Sequence, residues 1–429
     1  MHNIYLNRNQ GKHYYIQIWP VHNNPIFTNE IIYKDSENLD AECRLLALYR
    51  YWNIVNYFFP SKYLTDKDWN DVLKEYIPCF IKAQNRLEYE LTTSALIGEI
   101  CDTHAFLQGF EQIELTRGNK QAPVHVQFIE NNLVVIENYI KEASLKKGDV
   151  ITHIDGKSVE SITDSLKKIY SASNEAARLR DISCDLLRSN KNSILIDYIS
   201  SGVAKQKDIS LDARNQWEYY RYRRNDIEKC YNFINEDIGY ITLKNIKEDD
   251  IPVIRKEFTN TKGIIIDIRN YPSIYSTLHR LIPYIVHNAA TPFVKFTIGN
   301  PNNPGEFVFE GEFEITNIES ENIYKGKLVV LVNEYTQSHA ELVTMALKAG
   351  DNTTVIGSQT AGADGNISVI VLPGGLMTGI SGIGVYYPDG RETQRIGIIP
   401  DIEVKPTIKG IREGRDELLE KAIEIIRKE

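Results

Sequence analysis

The chain is short of cysteine, of positive charge and of long apolar runs, and each shortage closes off a class of protein. Five cysteines, Cys43, Cys79, Cys101, Cys184 and Cys230, are spread over 429 residues. Their number is odd and none is spaced as a C-x-x-C pair, so neither a zinc site nor a disulfide framework is expected. They leave the compartment open, because larger exported proteins fold without disulfides. No apolar run approaches the ~18–20 residues of a membrane-spanning helix. Residues 1–30 carry charges and Asn throughout and lack the apolar stretch of a secretory signal. Lys plus Arg is 49 against 58 for Asp plus Glu, a net charge of −9 that argues against a nucleic-acid partner. Apolar residues at 42% are too many for a disordered chain and enough for a large core. Tyrosine is in excess, 25 against 14 Phe, with no function attached to the bias.

At ~100–200 residues per domain the length predicts two to four domains. The segment "GKHYYIQIW" within residues 1–38 alternates as a strand does, without an obvious partner nearby. It reads as the remnant of a chain with an upstream portion. A removed signal peptide would make the protein periplasmic or otherwise extracytoplasmic. Residues 39–118 read as helical: Leu45, Leu48, Tyr49, Trp52, Val55 and Phe59 recur at helical spacing until Pro60. A second helix is expected to start at Thr65 as N-cap, and a third around "EYELTTSALIGEIC" leads into "DTHAFL". Residues 119–210 change to short strands, with Gly148-Asp149 and Asp155-Gly156 as turns flanking the strand Val150–Ile154. From 211 to 429 strands alternate with helices. The strands include the buried "KGIIIDIRN" and "KLVVLVNE", and the segment closes with an amphipathic helix carrying Leu418, Leu419, Ala422, Ile423 and Ile426 on one face. Such alternation predicts an α/β core.

Two side chains stand out as chemistry. Ser338 sits where a buried strand gives way to a helix, which puts its oxygen at the mouth of the sheet and near the positive end of the helix dipole. That suits a nucleophile whose reaction builds negative charge, and equally suits a helix-capping serine. A nucleophilic serine needs a base. Of nine histidines, His104 in "CDTHAF" is best placed, following a helix and preceded by Thr103. His339, adjacent to Ser338, faces another way on a helix.

"LVVLVNEYTQSHAELVTMALKAG" with "TTVIGSQTAGADG" resembles the carboxyl-terminal processing, or tail-specific, serine proteases. In that family the nucleophile lies three residues before a glutamate, as Ser338 lies before Glu341. "GIIIDIRNYPS" looks like the stretch whose amides line the family's oxyanion hole. "LKKGDVITHIDGKSV" is similar to its PDZ domain, and "GIIPDIEV" to its end-of-core motif. The resemblance implies a crotonase-like (ClpP-like) α/β core behind a helical part and an inserted PDZ-like domain. It implies a serine endopeptidase of extended or C-terminally recognised polypeptides, with no metal and no cofactor.

The departures from the family pattern sharpen the expectation. The lysine of the Ser-Lys branch would fall 25 residues after the serine, on Ala363, and its helping glutamine on Ile367, so that dyad is excluded there. The tricorn-like Ser-His branch takes its histidine from a segment like "DSHT", which "DTHA" fits. His104 is then the general base and Thr103 its supporting neighbour. That branch has an acid nearly 60 residues past the serine. Glu392, 54 residues on, is the expected orienting acid, with Asp389 and Gln394 nearby; the alternative is that Thr103 or backbone orients the histidine. The paired glycines of the oxyanion stretch become Ser273 and Ile274. The expected oxyanion donors are the amide of Ser273 or Ile274 and that of His339, and a positive φ would be costly at Ile274. The altered glycines keep a second reading open, a catalytically weak or inactive peptide- or ligand-binding protein on the same scaffold. Oligomeric state and substrate sequence are not legible.

Overall fold

A computed structural model describes residues 6–7, 10–34, 39–140, 145–215, 229–287, 291–315 and 323–428. Its centre is a six-stranded sheet in the order Tyr231–Asn235, Ile238–Thr242, Gly263–Asp267, Lys327–Val332, Thr353–Gly357 and Ile402–Glu403. The first pair is antiparallel and the others are parallel. The central strands Gly263–Asp267 and Lys327–Val332 are buried on both faces, which is why their sequences run apolar without alternation. One face packs on the helices Asp250–Phe258 and His339–Lys348. The other is closed by the helix Glu417–Arg427 through Leu418, Ala422 and Ile426.

Residues 41–117 carry the helices Ala41–Phe58, Trp69–Lys82, Arg86–Gly98 and Glu111–Arg117. The second starts later than the sequence suggested. Asp68 caps it by accepting from the amide of Asn70, whereas the Thr65 hydroxyl bonds Lys62 and Lys67 carbonyls in the preceding turn. A carboxylate two residues from the first free amide outcompetes a hydroxyl further back. Residues 124–210 form a separate antiparallel sheet with its own core, including the expected strand Val150–Ile154. The strand Ile16–Ile18 does have a partner: it pairs antiparallel with Pro25–Phe27 in a small hairpin.

The helices do not stand free. Leu48, Tyr51, Leu96 and Ile97 share one core with Ile370, Leu372, Leu376 and Ile380 of the hairpin Ile367–Leu372/Leu376–Ser381. Arg86 fixes that contact. Its guanidinium bonds the Glu90 carboxylate at 2.7 Å and the carbonyls of Gly374 and Gly109 at 2.8 and 3.1 Å. Gly109 and Gly375 meet so closely that a Cβ on Gly109 would lie 2.3 Å from the Gly375 oxygen, and its φ is +80°. Only glycine fits there. The segment carrying His104 is thereby pinned to the core.

Candidate active site

Ser338 caps the helix His339–Lys348 with φ 57° and ψ −125°. Positive φ is uncommon for a residue with a side chain and costs of order 1–3 kcal/mol, so surrounding bonds must hold it. They are present. The Ser338 amide donates to Ala363 O at 2.9 Å and to Glu341 Oε2 at 3.1 Å. The same buried Glu341 carboxylate accepts from the amides of Gly362 and Ala363 at 2.9 and 3.1 Å and from the Thr360 hydroxyl. Burial nonetheless pushes the Glu341 pKa up against those hydrogen bonds.

Ser338 opens onto a cavity of about 770 Å³. Its walls are largely apolar and aromatic, among them Tyr271, Tyr275, Phe296, Leu342 and Ile383. Val21, His22 and Asn23, from the turn of the N-terminal hairpin, complete them, and Asn23 is tied to Glu310 at 2.7 Å. His339 also lines it, under the Tyr275 ring at 4.7 Å. Burial and the nearby His279 push its pKa down to about 4, so the ring is neutral at physiological pH. Asp364 contributes a buried carboxyl whose Oδ2 has no hydrogen-bond partner among the described residues. Burial and the charge of Glu341 push its pKa well up.

His104 is buried, at 4% exposure, beside the same backbone that holds Ser338. Thr103 Oγ1 donates to Ala361 O at 3.4 Å, Ala361 N donates to Thr336 O at 3.0 Å, and Ala363 O receives Ser338. Residues 361–363 are thus flanked by the histidine segment on one side and the serine turn on the other. Thr103 does not bond the ring. It exchanges hydrogen bonds with Ser173, at 2.8 and 2.9 Å, and so anchors its segment. The imidazole Nδ1 lies 2.8 Å from Ser381 Oγ, and Ser381 in turn lies 3.1 Å from Asp102 Oδ1. Burial lowers the His104 pKa, opposed by Asp102 and aided by Arg180. Among the described residues no hydrogen bond joins His104 to Ser338.

Two expected residues land differently. Glu392 is not brought to His104. Its carboxylate accepts from the Tyr63 hydroxyl, and it lines a separate cavity of about 330 Å³ with Lys348 and Tyr387. The cause is alternation along the extended segment, where Thr393 turns inward to bond Val385 O and Glu392 faces the other way. The Ser273 amide is occupied, donating to Leu243 O at 2.9 Å. Ile274 escapes the strain expected of it, because its φ is not positive. Its side chain packs on the core, while the amide of His339 belongs to the first turn of a helix, where amides lack intrahelical partners. Sequence reading missed Asp102 and Ser381. Asp102 had a signal, since an Asp two residues before His104 forms an Asx turn, with His104 N donating to Asp102 Oδ1 at 3.0 Å. Ser381 had none, lying 277 residues away.

Residues 237–404 match Peptidase family S41. A "Carboxy-terminal-processing protease" of Bartonella bacilliformis is 25% identical over 305 residues, covering 67% of this chain and 62% of that protein. The match thus spans somewhat less than two thirds of that relative's length. Among solved structures, mature CPAF complexed with lactacystin superposes with a TM-score of 0.67 at 13% identity, over 90% of this chain and 98% of that one. A putative peptidase from Parabacteroides merdae gives 0.57 at 16% identity, over 91% and 98%. At such identities these two likenesses concern the fold, a mixed α/β architecture with several sheets.

Proposed function

We propose that the chain, whose residues 237–404 match peptidase family S41, works as a serine endopeptidase on extended polypeptides, with Ser338 as nucleophile and His104 as general base. The observation that carries this reading is the Ser338 turn. A serine held at positive φ on a helix N-terminus and lining a cavity carries a backbone cost that a simple cap would not require.

Ser338 Oγ attacks the scissile carbonyl while His104 Nε2 takes the hydroxyl proton. The oxyanion is met by the amides of His339 and Ile274; Ser273 drops out because its amide serves Leu243. His104 then passes the proton to the leaving amine, and water, activated by the same nitrogen, releases the acid product. Glu341 does not touch the substrate. It holds the turn. The core is read as crotonase-like, and residues 119–210 as a PDZ-like module that takes an extended chain by strand addition. Its strand Val203–Ser210 is exposed at the sheet edge, as such a role needs.

The test is turnover of an unstructured protein such as casein. Wild type is expected to cleave it, and His104→Ala to lose about 10²–10⁴ of the rate. Binding of peptides with no turnover by wild type would instead favour a non-catalytic binder on this scaffold.

A further inference from the structure

The hydrogen bonds behind His104 form a chain that no sequence motif announces. Asp102 is completely buried, and its Oδ2 accepts from the Ser381 amide at 2.7 Å. Its Oδ1 accepts from the His104 amide at 3.0 Å and from the Ser381 hydroxyl at 3.1 Å. One carboxylate therefore grips both the backbone of the histidine and the backbone and side chain of Ser381. Ser381 ends the strand Leu376–Ser381, in the hairpin on which the helical part docks.

Proton counting fixes what this chain does to the ring. Both oxygens of Asp102 accept amide hydrogens, and a serine hydroxyl has one hydrogen to give. That hydrogen is directed to Asp102 Oδ1. The oxygen then presents a lone pair to His104 Nδ1 at 2.8 Å, so Nδ1 must be the donor. A neutral imidazole with its proton on Nδ1 keeps a lone pair on Nε2.

We propose that Asp102 and Ser381 are the positioning residues of His104, holding the imidazole in the Nδ1–H tautomer with Nε2 free to take a proton from Ser338. The catalytic role of that nitrogen rests on the peptidase reading; the tautomer does not. The arrangement replaces a carboxylate in direct contact with the ring by one acting through a hydroxyl. When Nε2 takes the serine proton, Nδ1 keeps its own, and the positive charge that appears lies one hydroxyl away from Asp102. The charged groups acting on the ring are Asp102, which favours its protonation, and Arg180, which opposes it.

The test reads the tautomer directly. The full chain is labelled with ¹⁵N-histidine, its two-bond ¹H–¹⁵N correlations are recorded at neutral pH, and His104 is assigned by its loss in His104→Gln. Wild type is expected to show a protonated Nδ1 and an unprotonated Nε2. Ser381→Ala is expected to lose that single signature and to react with a fluorophosphonate probe about 10–10³-fold more slowly. A wild-type ring protonated on Nε2 would overturn the proposal. So would a Ser381→Ala protein that keeps both the Nδ1–H signature and the rate. Should Ser381→Ala not fold, the wild-type spectrum decides alone. An Nδ1–H ring in a wild type that ignores the probe would leave the positioning intact and sink the peptidase reading, so the two failures are separable.

Discussion

Glu341 Oε2 accepts the amide hydrogen of Ser338 over 3.1 Å, so the acid three residues into the helix holds the serine in its left-handed turn. The family spacing of serine and glutamate has a mechanical meaning here. The carboxylate collects the amides of Ser338, Gly362 and Ala363 on one side chain and sets the serine turn against the neighbouring loop. Glu341→Ala would leave the buried amides of Gly362 and Ala363 without their acceptor, at ~1–3 kcal/mol each, and the Ser338 amide with only the Ala363 carbonyl. It is expected to lower the unfolding midpoint sharply and to bring probe labelling near the Ser338→Ala background.

Glu392 and Asp102 separate two accounts of the base. With Glu392 bonded to Tyr63 and His104 bonded to Ser381, Glu392→Gln is expected to retain casein turnover within about threefold of wild type. A loss of 10²-fold or more in a folded Glu392→Gln protein, measured by steady-state rates, would restore it as the orienting acid.

The pH dependence follows from burial. His104 has a pKa below its ordinary value, with burial as the leading cause. Its neutral form, the one that can accept a proton, therefore persists below the ordinary ~6.5. The probe-labelling rate is expected to reach half its plateau at a pH below 6.5. The same shift makes stability pH-dependent. Between the folded and unfolded pKa values the unfolded chain binds the extra proton, so this contribution is present above ~6.5 and is lost as pH falls through the folded value. Urea titrations of wild type and His104→Gln across pH 4–8 read it as a narrowing difference.

Asp364 has the opposite sign. Its pKa is raised by burial and by Glu341, so its contribution to stability is present below the unfolded value and lost as pH rises through the folded one. Asp364→Asn is expected to raise the unfolding midpoint relative to wild type at pH 8, with the gain vanishing near pH 4. An equal effect at both pH values would assign it to packing.

Docking of the helical part is testable at Arg86, which ties helix Arg86–Gly98 to Gly374 and Gly109 and neutralises the buried Glu90. Arg86→Ala strands that carboxylate and is expected to cost about 3 kcal/mol in denaturant titration. Casein turnover should fall with it, because the His104 segment lies between this helix and the core.

Much of the architecture was legible because it rests on local pattern. The runs Ile264–Ile266 and Leu328–Val332 read as strands buried on both faces, and Leu418, Leu419, Ala422, Ile423 and Ile426 read as one helix face, of which Leu418, Ala422 and Ile426 are buried. Ser338 was legible from its place between strand and helix. What escaped depends on long-range pairing. The partner of Ile16–Ile18 follows a turn holding Asn23 at φ 57°, a conformation no apolar pattern encodes. Ser381 reaches His104 only after the hairpin folds onto the helices. Glu392 was misplaced because one step along an extended segment reverses which side of the backbone a side chain takes.

The most direct measurement of the central claim is labelling by a fluorophosphonate probe at neutral pH, followed by mass spectrometry of the modified peptide. Wild type should carry one adduct, on Ser338, while Ser338→Ala carries none and His104→Ala reacts at least about 10²-fold more slowly. A folded wild type that stays unlabelled, or an adduct on another residue that persists in Ser338→Ala, would contradict it.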